Sequence, residues 1–215
     1  MSLNSTFAIY LTAGIISYLM GAVPFGLLIS KFKGIDIRNV GSKNIGATNV
    51  FRSVGPKWGI LTFILDSLKG FIPSYCFPLL IKNYFEMNNI HMETLPLYCM
   101  AVAIIGHSWP VFLHFKGGKG VATGTGGLIA IAPIAALAGI IVWIIVFALS
   151  RYVSLASISA SASIAIFSWI IFSYQKNNLL TSVVLTILCF VIIIRHYANI
   201  NRLITGTELR FGNKH

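Results

Sequence analysis

Residues 121–150 read VATGTGGLIAIAPIAALAGIIVWIIVFALS and contain no charged side chain. A helix needs about 20 apolar residues to cross a hydrocarbon core about 30 Å thick, so this block is too long for one ordinary crossing. Glycines crowd its beginning and Pro133 interrupts it, and proline breaks or kinks a helix. The block therefore predicts a short crossing that is followed by a second crossing over Ile134–Leu149.

Further apolar blocks lie on both sides of this stretch. They cover Phe7–Ile29, Trp58–Ile81, Leu95–Phe115, Tyr152–Ser173 and Leu179–Ile194. Of the 215 residues, 56% are hydrophobic and only 10% are charged, and helices are the default spanning structure because they satisfy their backbone hydrogen bonds internally. The sequence thus predicts an all-α integral membrane protein, with a single multi-pass domain over residues 1–215. Pro24 and Gly26 predict a kink in the first helix.

The basic residues predict how the chain crosses the membrane. Sixteen Lys and Arg outnumber five Asp and Glu, and most of the cations lie in residues 31–57, 116–119 and 195–215. Cytoplasmic loops of membrane proteins concentrate Lys and Arg. Placing all three groups in the cytoplasm requires seven crossings in preference to six, with the N-terminus outside and the C-terminus inside. Lys82–Thr94 and Lys176 would then be external, and the clustering favours membrane topology over nucleic-acid binding.

Three polar segments separate the apolar blocks, and the first is Gly41–Asn49. Its glycines allow the backbone to approach a ligand closely, and the guanidinium of Arg52 suits phosphate oxygens. The neutral hydrogen-bonding residues of the segment are Ser42, Asn44, Thr48 and Asn49. A turn-rich connector remains an equal alternative, because Gly, Asn and Ser dominate turns.

The second segment contains the run FKGGKGVAT at residues 115–123. It combines two lysines, Lys116 and Lys119, with the glycines Gly117, Gly118 and Gly120. Backbone N–H groups at a helix start, together with ammonium groups, form an anion site. The run is not a nucleotide-binding P-loop, because no glycine lies five residues before Gly118 and no Ser or Thr follows Lys119.

The third segment carries His196 and Asn199, with Arg195 and Arg202 beside them. The two residues would share one face if the last helix continues through them, and histidine is suited to proton transfer near neutral pH. A solvated or capping histidine is the alternative. Asp66 and Lys69 lie three residues apart within an apolar block, where either a structural ion pair or a part in a site is possible.

Taken in order, the three segments resemble the bacterial acyl-phosphate:glycerol-3-phosphate acyltransferases, the PlsY family. The matching patterns are Gly-Ser-x-Asn-x-Gly-x-Thr-Asn, His-x-x-Pro-x-Phe-x-x-Phe-Lys-Gly-Gly-Lys-Gly and Arg-His-x-x-Asn-Ile-x-Arg, and the segment Asp66–Gly70 matches as well. Lys43 departs from the resemblance, which leads us to expect glycine there. The acid partner of other glycerophosphate acyltransferases, an Asp five residues after a His, follows no histidine of this chain, so acyl-CoA is not the expected donor.

The resemblance implies an enzyme of the bacterial plasma (inner) membrane whose active site faces the cytoplasm. It would transfer an acyl group from acyl phosphate to the sn-1 hydroxyl of glycerol 3-phosphate, giving lysophosphatidic acid. We expect no metal and no cofactor. The expected partners are membrane lipid and, transiently, a soluble enzyme that produces acyl phosphate.

The residue roles that we expect combine this resemblance with the chemistry of each side chain. We assign Ser42, Thr48, Asn49 and Arg52 to acyl phosphate, and Lys119, His196 and Asn199 to glycerol 3-phosphate. The residues expected to take part in catalysis are Ser42, His196 and Asn199. Those expected to bind substrate are Asn44, Thr48, Asn49, Arg52, Lys116, Gly117, Gly118, Lys119, Gly120, Arg195 and Arg202.

Other classes of protein could use a similar pattern. A membrane transporter for a phosphorylated small molecule would also line a cavity with basic residues. The polar segments, however, lie at the ends of apolar blocks, and the two halves of the chain show no repeat. The three cysteines, Cys76, Cys99 and Cys189, lie in or beside apolar blocks without metal-ligand spacing, so we expect them to serve packing.

Overall fold

The computed structural model describes residues 3–84, 89–173 and 179–212, and all regular structure in these ranges is helical. The helices are α1 (Leu3–Ala22), α2 (Phe25–Phe32), α3 (Ala47–Ser53), α4 (Pro56–Tyr84), α5 (Asn89–Ser108), α6 (Val121–Ile131), α7 (Pro133–Ser150), α8 (Val153–Ser173), α9 (Leu179–Ile194) and α10 (Tyr197–Ile204), with a 3₁₀ turn at Val111–Leu113. The prediction of an all-α membrane fold is confirmed.

Five helical segments in the described ranges are long and apolar enough to cross a membrane. They are Ser5–Phe32, Pro56–Asn83, Glu93–Leu113, Pro133–Ser150 and Val153–Ile171, and the bent pair of α9 and α10 is a sixth if it counts as one span. The helix α6 is apolar but only 11 residues long. The count of seven crossings and the orientation of the termini therefore stay predictions. Residues 85–88 of the predicted external segment, and Lys176, lie outside the described residues.

Proline sets two helix breaks where the sequence predicts them. The helix α1 ends at Ala22 and α2 begins at Phe25, so Pro24 lies between them. In the long apolar block, α6 ends at Ile131 and Pro133 is the first residue of α7. Proline suits the first helical position because an N–H there has no intrahelical acceptor. Both predicted interruptions are confirmed.

The helix predicted over Leu95–Phe115 ends earlier, at Ser108. Pro110 lacks an N–H and restricts the residue before it to extended conformations, so the helix cannot continue. After the 3₁₀ turn, His114 and Phe115 adopt left-handed backbone conformations, with φ of 49° and 61°. This sharp turn reverses the chain before residues 116–120.

The last helix likewise does not continue through His196 and Asn199, because α9 ends at Ile194 and α10 follows at an angle of 56°. The His196 N–H bonds to Ile193 O, at 2.9 Å, instead of to the carbonyl four residues back. That carbonyl, Ile192 O, accepts a hydrogen bond from Nδ1 of the same histidine at 2.8 Å. The chain therefore leaves the α-helical hydrogen-bond pattern at His196, where the side chain bonds to Ile192 O and the backbone N–H bonds to Ile193 O.

The chain divides into two compact units, Met1–Ile131 and Ala132–His215. In the first unit, α4 packs against α5 and α6, and α1 packs against α5. In the second unit, α8 packs against α7, α9 and α10. The prediction of a single domain over residues 1–215 stays a prediction.

Candidate active site

A single buried amide organises the first polar segment. Asn49 is 1% exposed, and its Nδ2 donates to Ile37 O at 3.2 Å, Val40 O at 3.0 Å and Asn44 O at 2.9 Å. Its Oδ1 accepts from the Ser42 N–H at 3.0 Å. Both polar atoms of this side chain are therefore used to hold the segment in place. Direct contact of Asn49 with acyl phosphate stays a prediction, and the geometry favours a positioning role.

The first segment needs glycine-like backbone conformations at two positions. Gly41 has φ of 57°, and a Cβ on it would overlap Asn49 Oδ1. Lys43 also has φ of 57°, which for a residue with a Cβ costs roughly 1–2 kcal/mol. The position where the resemblance leads us to expect glycine thus has the conformation that glycine prefers. Lys43 keeps the turn and adds a cation.

The remaining polar residues of this segment are partly exposed. Asn44 Oδ1 accepts from the Gly46 N–H at 2.9 Å, which fixes the entry into α3. Thr48 and Arg52 both lie on α3, four residues apart. Residues at this spacing share a helix face. The short helix therefore presents a hydroxyl and a guanidinium together, as an anion site requires.

Residues 116–120, which we call the glycine loop, fold back onto the end of α5. The Gly117 N–H donates to Ser108 O at 3.2 Å, and the Gly118 N–H donates to His107 O at 3.0 Å. A Cβ on Gly118 would overlap the His107 ring, and one on Gly117 would overlap His107 O. Both N–H groups bond to backbone carbonyls, and the part of Gly117 and Gly118 in binding substrate stays a prediction.

The glycine loop nevertheless leads directly into a helix N-terminus. The helix α6 begins at Val121, and its first backbone hydrogen bond runs from Gly124 N to Gly120 O at 2.7 Å. By helix geometry, the N–H groups of residues 121–123 have no acceptor within α6. Lys116 is exposed and Lys119 is partly exposed beside them. Two ammonium groups at a helix start can hold an anion.

An apolar cluster in the first unit joins the first two polar segments. Its buried members are Leu27, Ile37, Ile45 and Val50, and Leu113 packs against them. Ile45 and Val50 belong to the first segment and to α3, whereas Leu113 lies in the turn before the glycine loop. Two cation-bearing segments that are distant in sequence are thus fixed to one core.

The third polar segment lies in the second unit and contains a buried histidine. His196 is 2% exposed. Because a carbonyl oxygen only accepts hydrogen bonds, the Nδ1 that faces Ile192 O carries the hydrogen. In the neutral ring, Nε2 is then the nitrogen with the lone pair. This is the tautomer that a general base at Nε2 requires.

A carboxylate that the sequence analysis did not single out connects this segment to α8. Glu208 Oε1 accepts from Ser154 Oγ and from Asn199 Nδ2, both at 2.6 Å, and Oε2 accepts from Arg202 Nε at 2.7 Å. Burial favours the neutral acid, but these hydrogen bonds and the nearby Arg202 charge outweigh it and lower the pKa of Glu208. The sequence did contain a signal, since Glu208 is the only acid in residues 95–215.

The Glu208 contacts change what can be expected of two predicted residues. Arg202 uses Nε to bind Glu208, so only its terminal nitrogens could reach a phosphate, and its predicted role stays a prediction. Asn199 is 5% exposed and donates Nδ2 to the carboxylate. Its Oδ1 is therefore the atom left to accept from a substrate hydroxyl. Arg195 lies partly exposed between α9 and α10.

The described part of the chain contains no group of three or more His, Cys, Asp or Glu that could hold a metal ion. Cys99 and Cys189 are buried and Cys76 is partly buried. The three polar segments themselves supply hydrogen-bonding groups, cationic charge and a buried imidazole.

Comparison with known proteins gives one consistent family. The family model for glycerol-3-phosphate acyltransferase matches residues 11–206. The chain is 47% identical over 197 residues to the glycerol-3-phosphate acyltransferase of Aquifex aeolicus, which covers 92% of this chain and 96% of that protein. It is 44% identical over 205 residues to the enzyme of the same name from Trichlorobacter lovleyi, covering 94% and 99%.

Two solved structures of PlsY, an integral membrane glycerol 3-phosphate acyltransferase, are similar to this chain. The glycerol 3-phosphate form superposes with a TM-score of 0.80 at 44% identity, covering 94% of this chain and 96% of that one. The lysophosphatidic acid form superposes with a TM-score of 0.78 at 42% identity, covering 94% and 95%.

Proposed function

The chain belongs to the glycerol-3-phosphate acyltransferase family, and we propose that it transfers a fatty acyl group from acyl phosphate to the sn-1 hydroxyl of glycerol 3-phosphate. The products would be lysophosphatidic acid and inorganic phosphate. The two similar PlsY structures are a glycerol 3-phosphate form and a lysophosphatidic acid form. These ligands are the acceptor and the product of the proposed reaction.

The observation that carries the proposal is the pair of cationic segments fixed to one apolar core in the first unit. The helix α3 presents Thr48 and Arg52, and the glycine loop carries Lys116 and Lys119 at the start of α6. Acyl phosphate and glycerol 3-phosphate both carry phosphate, and like charges that approach each other repel strongly in a low-dielectric site. Two groups of cations offset this repulsion and favour phosphate as the leaving group.

Each set of residues is assigned to one part of the substrates. Ser42, Thr48 and Arg52 bind acyl phosphate, and Asn49 holds the segment that carries them. Lys119 binds the phosphate of glycerol 3-phosphate. From their chemistry and the resemblance, His196 and Asn199 are assigned to the glycerol hydroxyl groups.

The proposed reaction is a single displacement. The sn-1 hydroxyl oxygen forms an ester bond with the acyl carbon, the bond between that carbon and the phosphate oxygen breaks, and phosphate leaves. Acyl phosphate is already activated, so no acyl-enzyme is needed. The hydroxyl proton goes either to Nε2 of His196 or to a substrate phosphate, whose second pKa is near ~6.

We place the enzyme in the bacterial plasma membrane with its polar segments toward the cytoplasm. The concentration of Lys and Arg in these segments supports that side of the membrane. A cytoplasmic site would also receive acyl phosphate from a soluble enzyme that produces it. The acyl chain would lie against lipid.

Purified protein in detergent or liposomes tests the proposal when it is given acyl phosphate and radiolabelled glycerol 3-phosphate. Labelled lysophosphatidic acid and an equal amount of phosphate are expected, and acyl-CoA in place of acyl phosphate should give neither. Uptake of label into liposomes without formation of lysophosphatidic acid would instead identify a transporter and overturn the proposal.

A further inference from the structure

Three ionisable side chains in the first unit are buried together, and the proposed reaction uses none of them. Lys69 Nζ lies 2.8 Å from Asp66 Oδ1, and each side chain is 3% exposed. His107 is 5% exposed, and its Nδ1 lies 4.0 Å from the same carboxylate oxygen. This separation is within ion-pair range but longer than a hydrogen bond. We call Asp66, Lys69 and His107 the buried bracket.

One end of the buried bracket reaches the break in the first apolar span. Lys69 Nζ donates to Val23 O at 2.8 Å and lies 5.5 Å from the centre of the Phe25 ring. The helix α1 ends at Ala22, and Pro24 has no N–H to continue the helical hydrogen bonds. Lys69 therefore ties α4 to a backbone carbonyl at the break, which also accepts the Phe25 N–H at 3.1 Å, while it also holds Asp66.

The other end of the buried bracket supports the glycine loop. The His107 carbonyl accepts the Gly118 N–H at 3.0 Å. Gly118 is buried directly against the imidazole, so close that a Cβ would overlap Nε2, Cε1 and Cδ2. The ring is thus the surface on which Gly118 of the loop rests.

Stability alone is a weak reason for such an arrangement. Burying two ions costs several kcal/mol each, and apolar replacements of a buried pair are often neutral or stabilising. Within membrane spans, ionisable residues usually mark a functional site. The buried bracket contacts the glycine loop, which carries Lys116 and Lys119, and this contact connects it to the site.

We propose that Asp66, Lys69 and His107 act together as positioning residues that set the place of the glycine loop, and thereby the affinity for glycerol 3-phosphate. This inference rests on the proposed function, because it takes Lys119 on the loop to bind that substrate. None of the three side chains touches a substrate. They act through the loop.

The KM values of the two substrates should respond differently when the glycine loop is displaced. A displaced loop weakens the binding of glycerol 3-phosphate, so its KM rises. Acyl phosphate is assigned to the segment of Ser42 and Arg52, so its KM stays unchanged. A merely destabilised enzyme would lose active molecules, which lowers kcat and leaves both KM values as they were.

The test uses two variants and a matched control. The double variant Asp66→Asn/Lys69→Met removes both charges at once and so leaves no unpaired buried ion. His107→Asn removes the ring beneath Gly118. Ser74→Ala is the control, because Ser74 is also buried on α4 and its Oγ donates to Gly70 O within the same helix, at 2.7 Å.

In the bracket variants we expect KM for glycerol 3-phosphate to rise about tenfold, with kcat and KM for acyl phosphate within about twofold of wild type. Ser74→Ala should change none of the three. If the double variant does not fold, His107→Asn decides by the same criteria. A fall in kcat alone, or an equal rise of both KM values, would overturn the inference and leave the proposed function intact. An inactive wild type would overturn both.

A second experiment tests the contact between ring and loop. Gly118→Ala should raise KM for glycerol 3-phosphate strongly while His107 is present. In a His107→Ala background the added methyl group has room, so the same change should have a much smaller effect. Additive effects would contradict the coupling that the geometry requires.

Discussion

Asn49 shows how one side chain can fix a whole segment. Its two polar atoms bond to four backbone groups spread over Ile37 to Asn44. No second buried side chain duplicates these bonds among the contacts described for that segment. The geometry of the Ser42 turn therefore depends on this one amide.

Replacing Asn49 with Asp is expected to unfold the segment, because a carboxylate would face the three carbonyl oxygens that now accept from Nδ2. An unsatisfied buried polar group costs about 1–3 kcal/mol, and more if it is charged. Thermal unfolding in detergent should show a clear loss of stability, and activity should fall with it. Asn39→Ala, an exposed change in the same stretch, should shift stability by less than about 0.5 kcal/mol. Equal effects of the two changes would contradict the role assigned to Asn49.

Arg52→Ala and Lys119→Ala are each expected to cut activity by about a hundredfold or more, since loss of a phosphate partner costs several kcal/mol. Initial rates with both substrates saturating and limiting provide the measurement. Lys57→Ala removes an exposed cation from the same unit and serves as the charge-matched control. Retention of more than about a tenth of wild-type activity in either variant would count against the anion sites.

Glu208 makes the second unit sensitive to acid. Its pKa is lower in the folded protein than in the unfolded chain, despite its burial, because Ser154, Asn199 and Arg202 bond to the carboxylate. The stabilisation is present above the ordinary Glu pKa and is lost as the pH falls through the folded value. Wild type should therefore be more stable than Glu208→Gln at neutral pH, and the difference should shrink in acid. Melting curves recorded across pH check this, and a difference that is independent of pH would contradict it.

At the scale of elements, close contacts between backbones decide how α4 and α6 pack. A Cβ on Gly126 would overlap Ser67 O, and one on Gly70 would overlap Thr123 O. Small residues allow membrane helices to approach in this way, because van der Waals packing replaces the hydrophobic effect between them. The glycines that open the long apolar block thus form a helix contact.

Gly126→Ala is expected to separate α4 from α6 and to destabilise the first unit by about 1–3 kcal/mol, as overpacking does. Gly139→Ala is the matched control on α7, where the added methyl group would meet Cδ1 and Cγ1 of the Ile164 side chain and would lie 3.9 Å from the backbone oxygen of Ala160. Melting temperatures of the two variants, measured in the same detergent, should show the larger loss of stability in Gly126→Ala. A larger loss in Gly139→Ala would show that the α4–α6 contact is looser than the structure implies.

At the scale of the whole molecule, the seven-crossing topology can be tested by labelling single cysteines in a variant that lacks Cys76, Cys99 and Cys189. Cysteines at positions 44, 116 and 201 should react with a membrane-impermeant thiol reagent only from the cytoplasmic side. A cysteine at position 88, which lies outside the described residues, should react from the external side. Labelling of position 201 from the external side would refute the count of seven crossings. Residues 116 and 201 would then lie on opposite sides of the membrane, which requires an odd number of crossings between them.

The sequence by itself determined the class of the fold, the proline breaks and the identity of the polar segments. These depend on local properties, since apolar length, missing N–H groups and cationic charge act without knowledge of distant neighbours. It located α9 at Leu179–Ile194, where the structure has it. It also selected Asp66 and Lys69 as a pair, although it left their role open.

Only the tertiary structure decided what the selected residues contact. The Gly117 and Gly118 N–H groups bond to the end of α5, Asn49 holds its own segment, and Glu208 binds Ser154 from 54 residues away. The bend after α9 likewise lies at His196, whose side chain bonds to Ile192 O and whose N–H bonds to Ile193 O. Hydrogen bonds and close contacts require specific atoms to meet in space, and sequence spacing does not contain that information.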